Sequence, residues 1–411
     1  MAISFNASKV SECENEIIPG LPYDLALECL IRVPFTSHPS LRLVSHLWKS
    51  TISNPCFYSI RQTSNKAENL LFLIQPLSPT KTNTEATVAE TFDNKKKASS
   101  GGDSSSGTTP PLLLYNLNIY NLSCQKWTPL LGISTIPTFA QLVVLPTLRK
   151  LLLLGGWDPS TLEPVSRVVL IDLARGTWSD ASPMPTPRSF FACAAVGPAT
   201  VYVAGGHDAR KNALRSADLY DVLSDQWHSL PPMSQERDEC HALSFDDKFW
   251  VVSGYGTESQ GRFRPDAEIF DPEKRAWITV NGLWPYPANS PKSTAVVKVD
   301  GRSRWWHVLG GQIMDYQWQE NQWKGVNMGR LPEWVTGLLS SSSSVCLVDM
   351  GDGKIFVMGN AENTCGAQQR VLMLERVTQD NVKTGINWRC QHLFTSPTFF
   401  GFPFSTSHLR I

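Results

Sequence analysis

The sequence predicts a mainly β protein, a six-bladed propeller that follows a small all-α domain at the N-terminus. Two observations predict the propeller: a unit of roughly 50 residues recurs along most of the chain, and each copy contains short apolar runs of strand length. A third observation predicts the helical domain, because one N-terminal stretch has apolar residues at helical spacing. The number of blades falls to five if the first copy does not form a sheet.

The repeating unit is most regular between Pro187 and Pro231, PRSFFACAAVGPATVYVAGGHDARKNALRSADLYDVLSDQWHSLP. A basic residue opens one apolar run, a second run ends in a glycine pair, a third ends in Tyr-Asp, and a Trp lies seven residues after that Tyr. Pairs aligned on the glycines start 50, 48, 57 and 49 residues apart. These pairs are Gly155-Gly156, Gly205-Gly206, Ser253-Gly254, Gly310-Gly311 and Gly359-Asn360.

Each marker of the unit has a structural explanation. A glycine pair after a buried strand permits positive φ and close approach of neighbouring backbone. Asp after the third run accepts a backbone N–H two residues on, and the Trp fills the wedge between blades. The period and the order of markers resemble the kelch repeat, which forms one propeller blade. The markers expected to be scaffold include Gly155, Gly205, Trp178, Trp227 and Trp277.

Composition argues against several classes of function. Lys plus Arg and Asp plus Glu number 37 each in 411 residues, so no net field attracts nucleic acid or an anionic membrane. The nine cysteines include no C-x-x-C pair, and no metal or other cofactor is expected. The start of the chain lacks a signal peptide pattern, and no apolar run is long enough to cross a membrane. We expect a protein of the cytoplasm and nucleus.

A helical domain is predicted over residues 17–62, after a polar and disordered segment at residues 1–16. The first helix lies between Pro22 and Pro34, and a second follows Pro39. Helices this short do not bury their apolar faces alone, so they need a partner surface. The apolar positions are Leu21, Leu25, Cys29 or Leu30, and Val33 in the first helix, and Leu41, Val44, Trp48 and Ile52 in the second.

The same stretch resembles the F-box in its motif Leu21-Pro22, Asp24-Leu25, Glu28, Leu30, Arg32, Val33-Pro34, Leu41, Arg42, Val44-Ser45, Trp48-Lys49 and Phe57. The resemblance implies docking on the Skp-type adaptor of a Skp, cullin and F-box ubiquitin ligase, with a hydrophobic face in a partner's groove. The alternative is an ordinary helical cap on the propeller, whose Leu and Trp residues pack within the protein's own core and contact no partner. Carried over by position, the residues at or beneath the adaptor contact are Leu21, Pro22, Leu25, Leu30, Val33, Pro34, Val44 and Trp48.

The propeller is predicted over residues 69–411. Its first blade is interrupted by residues 77–110, whose polar composition does not offset the entropy cost of ordering and predicts a disordered insertion. In blade 5 the short distance from Gly311 to Trp323 requires one short hairpin. The apolar run from Phe399 to Phe404 follows the last Trp, and we expect this tail to supply the strand that blade 1 lacks, since an open sheet edge is costly.

The loops after the second and fourth strands of a blade emerge on one face, where such folds bind partners. Aromatic and Arg side chains beside mixed charges suit a protein-binding surface. The alternative for Arg188, Arg237, Asp238 and Glu239 is that they pair inside the ring and fix the blades. The predicted client-binding residues are Trp157, Asp158, His207, Asp208, Arg210, Lys211, Tyr255, Glu258, Arg262, Arg264 and Trp284.

Adjacent residues such as His207-Asp208 and Cys240-His241 do not make a catalytic constellation, which needs nucleophile, base and orienting group in defined geometry. The protein is therefore expected to be a non-catalytic adaptor. The rival interpretation is a kelch scaffold or cytoskeletal interaction protein without a link to a ligase. Residues 17–62 distinguish the two.

A closer resemblance covers the F-box and blades 2 to 4. The segments PRSFFACA, VYVAGGHDARKNALRSADLYDV, ERDECHALSF, SGYGTESQGRF and AEIFDP look like plant F-box/kelch-repeat proteins that mark phenylalanine ammonia-lyase for degradation and control phenylpropanoid synthesis. The branch acting on type-B cytokinin response regulators, which damps cytokinin signalling, is similar and shares LLGGWDP at Leu153 to Pro159. Blade 5 and the tail depart from the family pattern, which leaves the client open.

Overall fold

The computed structural model describes residues 16–77, 114–130, 135–299, 301–309, 312–327, 345–361, 368–377, 387–393 and 403–411. In these ranges a small helical domain precedes six four-stranded antiparallel sheets. The predicted mainly β fold with six blades is confirmed. Residues 1–15 and 78–110, most of the two segments predicted to be disordered, lie outside the described residues.

The first three blades follow the helical domain directly. Blade 1 contains β1 (Asn69–Pro76), β2 (Tyr115–Asn121) and β3 (Lys126–Pro129). Blade 2 contains β4 (Gln141–Leu145), β5 (Lys150–Leu154), β6 (Val168–Asp172) and β7 (Thr177–Ala181). Blade 3 contains β8 (Ala192–Ala195), β9 (Thr200–Ala204), β10 (Ala217–Asp221) and β11 (Gln226–Leu230).

The other three blades repeat this order. Blade 4 contains β12 (His241–Phe245), β13 (Lys248–Val252), β14 (Ala267–Asp271) and β15 (Ala276–Val280). Blade 5 contains β16 (Thr294–Val299), β17 (Arg302–Leu309), β18 (Gln312–Gln317) and β19 (Gln322–Gly325). The pairing of Leu309 with Gln312 makes the connection between β17 and β18 the short one predicted for this blade. Blade 6 contains β20 (Val345–Asp349), β21 (Lys354–Ala361), β22 (Gln368–Val377) and β23 (Asn387–Leu393).

The C-terminal strand β24 (Ser405–Arg410) closes the ring by completing blade 1. It pairs antiparallel with β1, and it lies between the first strands of blades 2 and 6 in a closed cycle of first strands. The prediction that the tail completes blade 1 is confirmed, but its location in the run from Phe399 to Phe404 is wrong. The strand begins after Pro403, which has no N–H to donate to a sheet. Residues 399–402 lie outside the described residues.

The seven-residue spacing of the Trp marker places each Trp directly opposite its partner on the outer hairpin of a blade. Tyr220 pairs with Trp227, and their ring centroids are 4.8 Å apart. The Trp227 indole N–H donates to the carbonyl of Ser182, at the end of the preceding blade, over 2.8 Å. Trp277 and Trp323 make the same kind of bond to their preceding blades, at 2.7 and 3.1 Å. The predicted position between blades is confirmed for these three residues.

Trp178 departs from this pattern. It is 38% exposed on β7, where the first four residues are all exposed. The residue opposite it is Ile171, so no second ring stacks across the hairpin. The predicted burial of Trp178 between blades is therefore wrong.

The glycine pair has both properties that the sequence predicted. Gly205 and Gly206 have φ of 69° and 80°. A Cβ on Gly206 would lie 2.4 Å from the carbonyl oxygen of Ser189, and one on Gly205 would lie 2.4 Å from that of Arg237. Both oxygens belong to loops that precede a first strand, so the glycines allow these loops to approach the blade closely.

The Asp marker caps its turn in two ways. Asp221 accepts the N–H of Leu223, two residues on, over 2.9 Å, as predicted. Asp172 instead accepts the N–H of Arg175, three residues on, over 2.8 Å. In both blades the carboxylate closes the turn between the third and fourth strands.

The helical domain consists of α1 (Tyr23–Ile31), α2 (His38–Leu41), α3 (His46–Ser53) and α4 (Pro55–Thr63). The predicted second helix is thus divided, because Ser45 Oγ accepts the N–H of Trp48 and caps a new helix. Helix α4 was not predicted, although Asn54 followed by Pro55 is a typical helix start. No helix among the described residues has both the length and the apolarity that crossing a bilayer requires.

One hydrophobic cluster joins the helical domain to blades 1 and 2. It includes Leu30 and Phe57 from the helices and Leu70 and Ile171 from the blades. Arg42, which is 9% exposed, donates from Nη2 to the carbonyls of residues 173 and 174 in the β6–β7 turn, at 3.3 and 2.6 Å. The helical domain is therefore packed and hydrogen-bonded onto the propeller.

Glu68 forms a second junction between the domain and blade 1. Its Oε2 accepts from Arg61 Nη2 at 2.8 Å and from the Phe35 N–H at 2.6 Å. Its Oε1 accepts from Asn121 Nδ2 in β2 at 2.7 Å. Backbone bonds between Glu68 and the terminal Ile411 close the same corner. Three donors, one of them the counter-ion Arg61, thus compensate this buried carboxylate, and loss of Arg61 would leave a buried charge without its counter-ion.

Candidate functional site

The helical domain has large apolar side chains that the propeller does not cover. Tyr23 and Leu25 on α1 are 62% and 51% exposed, and Leu43 and Val44, between α2 and α3, are 87% and 60% exposed. Ala26 and Leu30, further along α1, are buried in the cluster shared with the blades. Several large apolar side chains exposed on one small domain are typical of a protein-binding surface.

A second candidate surface lies at the mouth of the propeller axis, where the loops before the first strands converge. Four of these loops place an equivalent residue two positions before the strand, and the tail places one immediately before β24. The corresponding loop before β20 lies outside the described residues. Going round the ring from blade 1 to blade 5, the residues are Phe404, Phe139, Phe190, Glu239 and Lys292.

The three phenylalanines pack together at the mouth. The centroids of Phe139 and Phe190 are 4.8 Å apart, and Phe404 lies 5.1 and 5.4 Å from them. Phe139 and Phe190 have φ of 61° and 55°, a backbone conformation that costs a bulky residue about 1–3 kcal/mol. The surrounding structure compensates for this cost and holds both rings, half-buried, beside the axis.

His207 and Trp157 extend the aromatic group outward from the axis. The His207 ring stacks on Phe190 at 5.5 Å, and Trp157 Nε1 donates to His207 Nε2 over 3.3 Å. His207 Nδ1 lies 2.9 Å from Asp238 Oδ1. Lys292 Nζ lies 4.5 Å from the centroid of Phe190. We call this group the mouth cluster; its members are Phe139, Trp157, Phe190, His207, Phe404 and Lys292.

Buried ion pairs fix the blades behind the mouth cluster. Arg188, fully buried, donates from Nη2 to Asp218 at 2.8 Å. Arg237, also fully buried, forms ion pairs with Asp266 and Glu268. Both arginines are paired inside the ring, which is the alternative given above for them, and they are not available to a partner.

The F-box domain family matches residues 18–60, and the Kelch motif family matches residues 187–234. F-box/kelch-repeat protein SKIP20 of Arabidopsis thaliana is 37% identical to the chain over 98% of this chain and 99% of its own length. The chain belongs to the F-box/kelch-repeat family. A second F-box/kelch-repeat protein of the same plant is 36% identical over 97% of the chain and 96% of its own length. The predicted membership of the plant family is confirmed.

Membership supports the coarse function predicted from the sequence. The F-box supports binding to a Skp-type adaptor, and the kelch propeller supports binding to a protein client. Together they support a substrate-recognition adaptor in ligases of the Skp, cullin and F-box type. Function in this family therefore depends on two surfaces for two partners.

The F-box residues predicted to bind the adaptor fall into three groups. Pro22, Leu25, Pro34 and Val44 are exposed, Leu21, Val33 and Trp48 are half-buried, and Leu30 is buried at 2% exposure. Leu30 therefore supports the surface from beneath. Tyr23 and Leu43 are also exposed but were not predicted from the sequence. For Leu43 the reason is that a continuous second helix was expected where the chain turns before Ser45.

The kelch loop residues predicted to bind a client differ in their exposure and in their contacts. Trp157 and His207 meet in the mouth cluster, and Lys211 Nζ lies 5.7 Å from the Trp157 ring. Arg210, Glu258 and Arg262 are exposed. Asp158 and Asp208 are half-buried and accept backbone N–H groups of their own loops, and Arg264 is half-buried and pairs with Asp266.

Three of the residues predicted to contact a client are buried in the structure. Trp284 is fully buried and packs against His307 and Trp323 beneath the loop. Tyr255 is 5% exposed and donates its hydroxyl to Glu239 Oε1 over 2.7 Å. His207, also 5% exposed, belongs to the mouth cluster as support for Phe190 rather than as an outer contact. Aromatic side chains of loops become buried where a neighbouring blade provides aromatic rings to pack against and hydrogen-bond acceptors.

Proposed function

We propose that this protein is the substrate-recognition subunit of a Skp–cullin–F-box ubiquitin ligase, with Leu25 and Val44 in the adaptor contact and the propeller mouth in the client contact. The cullin is reached through the adaptor, and the ligase's other subunits transfer ubiquitin. The protein itself supplies proximity, because holding client lysines near a charged conjugating enzyme raises their effective concentration. Degradation of the client by the proteasome follows.

One observation carries the proposal: the F-box domain buries one set of apolar side chains on the propeller and leaves another set exposed. A helical cap that packed only on this protein's own propeller would need only the buried set of apolar side chains. The exposed set distinguishes a ligase subunit from a kelch scaffold or a cytoskeletal interaction protein, because neither of those needs a surface for an adaptor.

For the client we propose phenylalanine ammonia-lyase, type-B cytokinin response regulators, or both. The support is the resemblance of blades 2 to 4, including the GGWDP segment that begins at Gly155, to plant proteins with those clients. Phenylpropanoid synthesis and cytokinin signalling would then be the processes that the protein limits.

The test uses the double variant Leu25→Asp, Val44→Asp. Both side chains are exposed, so the fold should persist, while two carboxylates in a desolvated apolar contact should abolish co-purification of the Skp-type adaptor. The matched control is Leu223→Asp, since Leu223 is 71% exposed on the propeller and should leave adaptor binding unchanged. Adaptor binding retained by the double variant would contradict the proposal.

The same variant also tests the client. It should still bind phenylalanine ammonia-lyase or a type-B regulator in a pull-down, and its overproduction in plant tissue should lengthen the client's half-life by occupying it without a ligase. A deletion of the F-box is unsuitable for this purpose, because Arg61 and the helices share their core with blades 1 and 2. Faster client turnover with the double variant would contradict the proposal.

A further inference from the structure

Lys292 occupies an unusual position among the charged residues at the mouth. It lies in the turn before β16, and its Nζ is 4.5 Å from the ring centroid of Phe190 and 4.4 Å from that of Phe404. Within the described ranges Nζ makes no ion pair and donates no hydrogen bond. Burial lowers the pKa of Lys292 in spite of the opposing influence of nearby acidic groups. Among the described residues, the ammonium group of this half-buried lysine therefore lies over two rings without a direct counter-ion.

The nearby acidic side chains are committed to other partners. Glu239 Oε1 accepts from the Tyr255 hydroxyl at 2.7 Å. Asp238 accepts from His207 Nδ1 at 2.9 Å and from the Glu239 N–H at 2.9 Å. Their charges act on Lys292 only from a distance. Of these three charged side chains, Lys292 is the one without a hydrogen-bond or ion-pair partner among the residues that the structure describes.

His241, beside Lys292, adds no positive charge to this part of the mouth near neutral pH. Burial first, and the charge of Lys292 second, lower the pKa of His241 to about 4, so it is uncharged near neutral pH. An anion that enters the mouth would thus meet a lysine over two aromatic rings. The half-buried phenylalanines around it offer an apolar surface but few hydrogen-bond donors.

We propose that the mouth cluster binds a short client segment that carries a carboxylate for Lys292 and, next to it, an apolar side chain for Phe139, Phe190 and Phe404. The proposal rests on the proposed function, since it assumes that the propeller binds a protein client, and it adds the chemistry of the segment that is bound. The carboxylate supplies the missing counter-ion in a site that is already partly desolvated, where a charged hydrogen bond is strong. The apolar side chain gains area on rings that the fold holds in place.

The experiment uses the full chain in complex with a Skp-type adaptor, and the probe is a displayed library of random peptides of about twelve residues. Selected peptides are synthesised with each acidic residue either kept or replaced by its amide, and their affinities are measured by fluorescence anisotropy. We expect the selected peptides to pair an acidic with an apolar residue. Replacing that acid by its amide should weaken binding roughly ten-fold to hundred-fold, because a charge-assisted bond is lost.

The variant Lys292→Met should weaken binding of the acidic peptide by a similar factor and leave binding of its amide form unchanged. Lys292→Arg should keep most of the affinity, since it keeps the charge. The matched control is Lys298→Met, because Lys298 is exposed on the neighbouring β16 and should have no effect. Replacing the acid by its amide changes only the peptide, so the comparison of the two peptides on the wild-type chain remains valid even if Lys292→Met folds poorly.

Two results would overturn the inference: selection of no peptide or of peptides without an acidic residue, and equal affinity of acidic and amide peptides for the wild-type chain. Failure of the proposed function looks different. In that case the wild-type chain would not hold the adaptor at all, whatever its affinity for peptides. Adaptor binding in every Lys292 variant together with a loss confined to acidic peptides would support both.

Discussion

At the scale of single residues, histidines whose pKa is lowered by burial make the stability of this protein sensitive to acid. His38 lies among Phe35, Phe57 and Tyr58 in the F-box domain, and burial followed by the charge of Arg61 lowers its pKa to about 3. Burial is also the main cause that lowers the pKa values of three propeller histidines to about 4: His241, His307 and His408. All four are neutral in the native protein and become charged more easily when it unfolds.

The sign of the pH dependence follows from these pKa values. A histidine whose folded pKa lies below the unfolded value of 6.5 costs nothing above that value and destabilises the fold as the pH falls from about 6.5 to its folded pKa. Each such residue should lower the free energy of unfolding by about 1.4 kcal/mol per pH unit in that window. Urea unfolding of the wild-type chain between about pH 7 and pH 5 should therefore show a steep loss of stability.

Substitution of single histidines checks this cause. His38→Gln should make the dependence shallower, because one titrating group is removed. The matched control is His228→Gln, since His228 is exposed on β11 and should leave the slope unchanged. A stability that does not change over this pH window would contradict buried neutral histidines.

At the level of elements, the junction between α2 and the β6–β7 turn depends on one glycine. Gly176 has φ of 67°, and a Cβ there would lie 2.6 Å from Nη1 of Arg42. Arg42 is the side chain that bonds to the carbonyls of that turn. A side chain at position 176 would therefore require the Arg42 guanidinium to move away from this contact.

Gly176→Ala should therefore cost more stability than the same change in an open turn. The matched control is Gly301→Ala, because Gly301 has φ of 70° and nothing within 4 Å of its would-be Cβ. Both variants carry the strain of a positive φ, so the difference between them, expected to be about 1–2 kcal/mol, reports the displaced Arg42 contact. Chemical unfolding measures it. Equal destabilisation by the two substitutions would show that the junction is loose.

The elements differ in how far the sequence alone could predict them. The Tyr220 and Trp227 pair was predictable, since a seven-residue spacing across a tight turn sets the register of one hairpin. The break at Ser45 and the helix after Asn54 were available as local capping patterns and were missed because the apolar periodicity continued through them. The position of β24 was less accessible, because a polar strand at the axis has no apolar pattern.

The sites were less predictable than the blades, for a physical reason. Phe190, Lys292 and Phe404 belong to blades 3, 5 and 1, and only closure of the ring brings them together. The loop residues chosen from their chemistry included Trp284, which the neighbouring blade buries completely. Sequence indicates which loops share a face, but the residues that reach the axis depend on contacts between distant blades.

In the whole molecule, the two surfaces belong to a single packed body. The cluster of apolar side chains shared by helices and blades, the Arg42 bonds and the Glu68 junction all resist movement of the F-box domain relative to the propeller. A client held at the mouth would therefore keep a defined distance from the ligase. Buried polar junctions that join several elements through hydrogen bonds favour one arrangement over many.

Hydrogen exchange of the full chain, measured by mass spectrometry with and without a Skp-type adaptor, tests the two-surface account most directly. The account predicts slower exchange in α1 and in residues 42–48, around exposed Leu25, Leu43 and Val44, and unchanged exchange in the loops before β4 and β8. Protection at the propeller mouth, or none in the F-box helices, would contradict it.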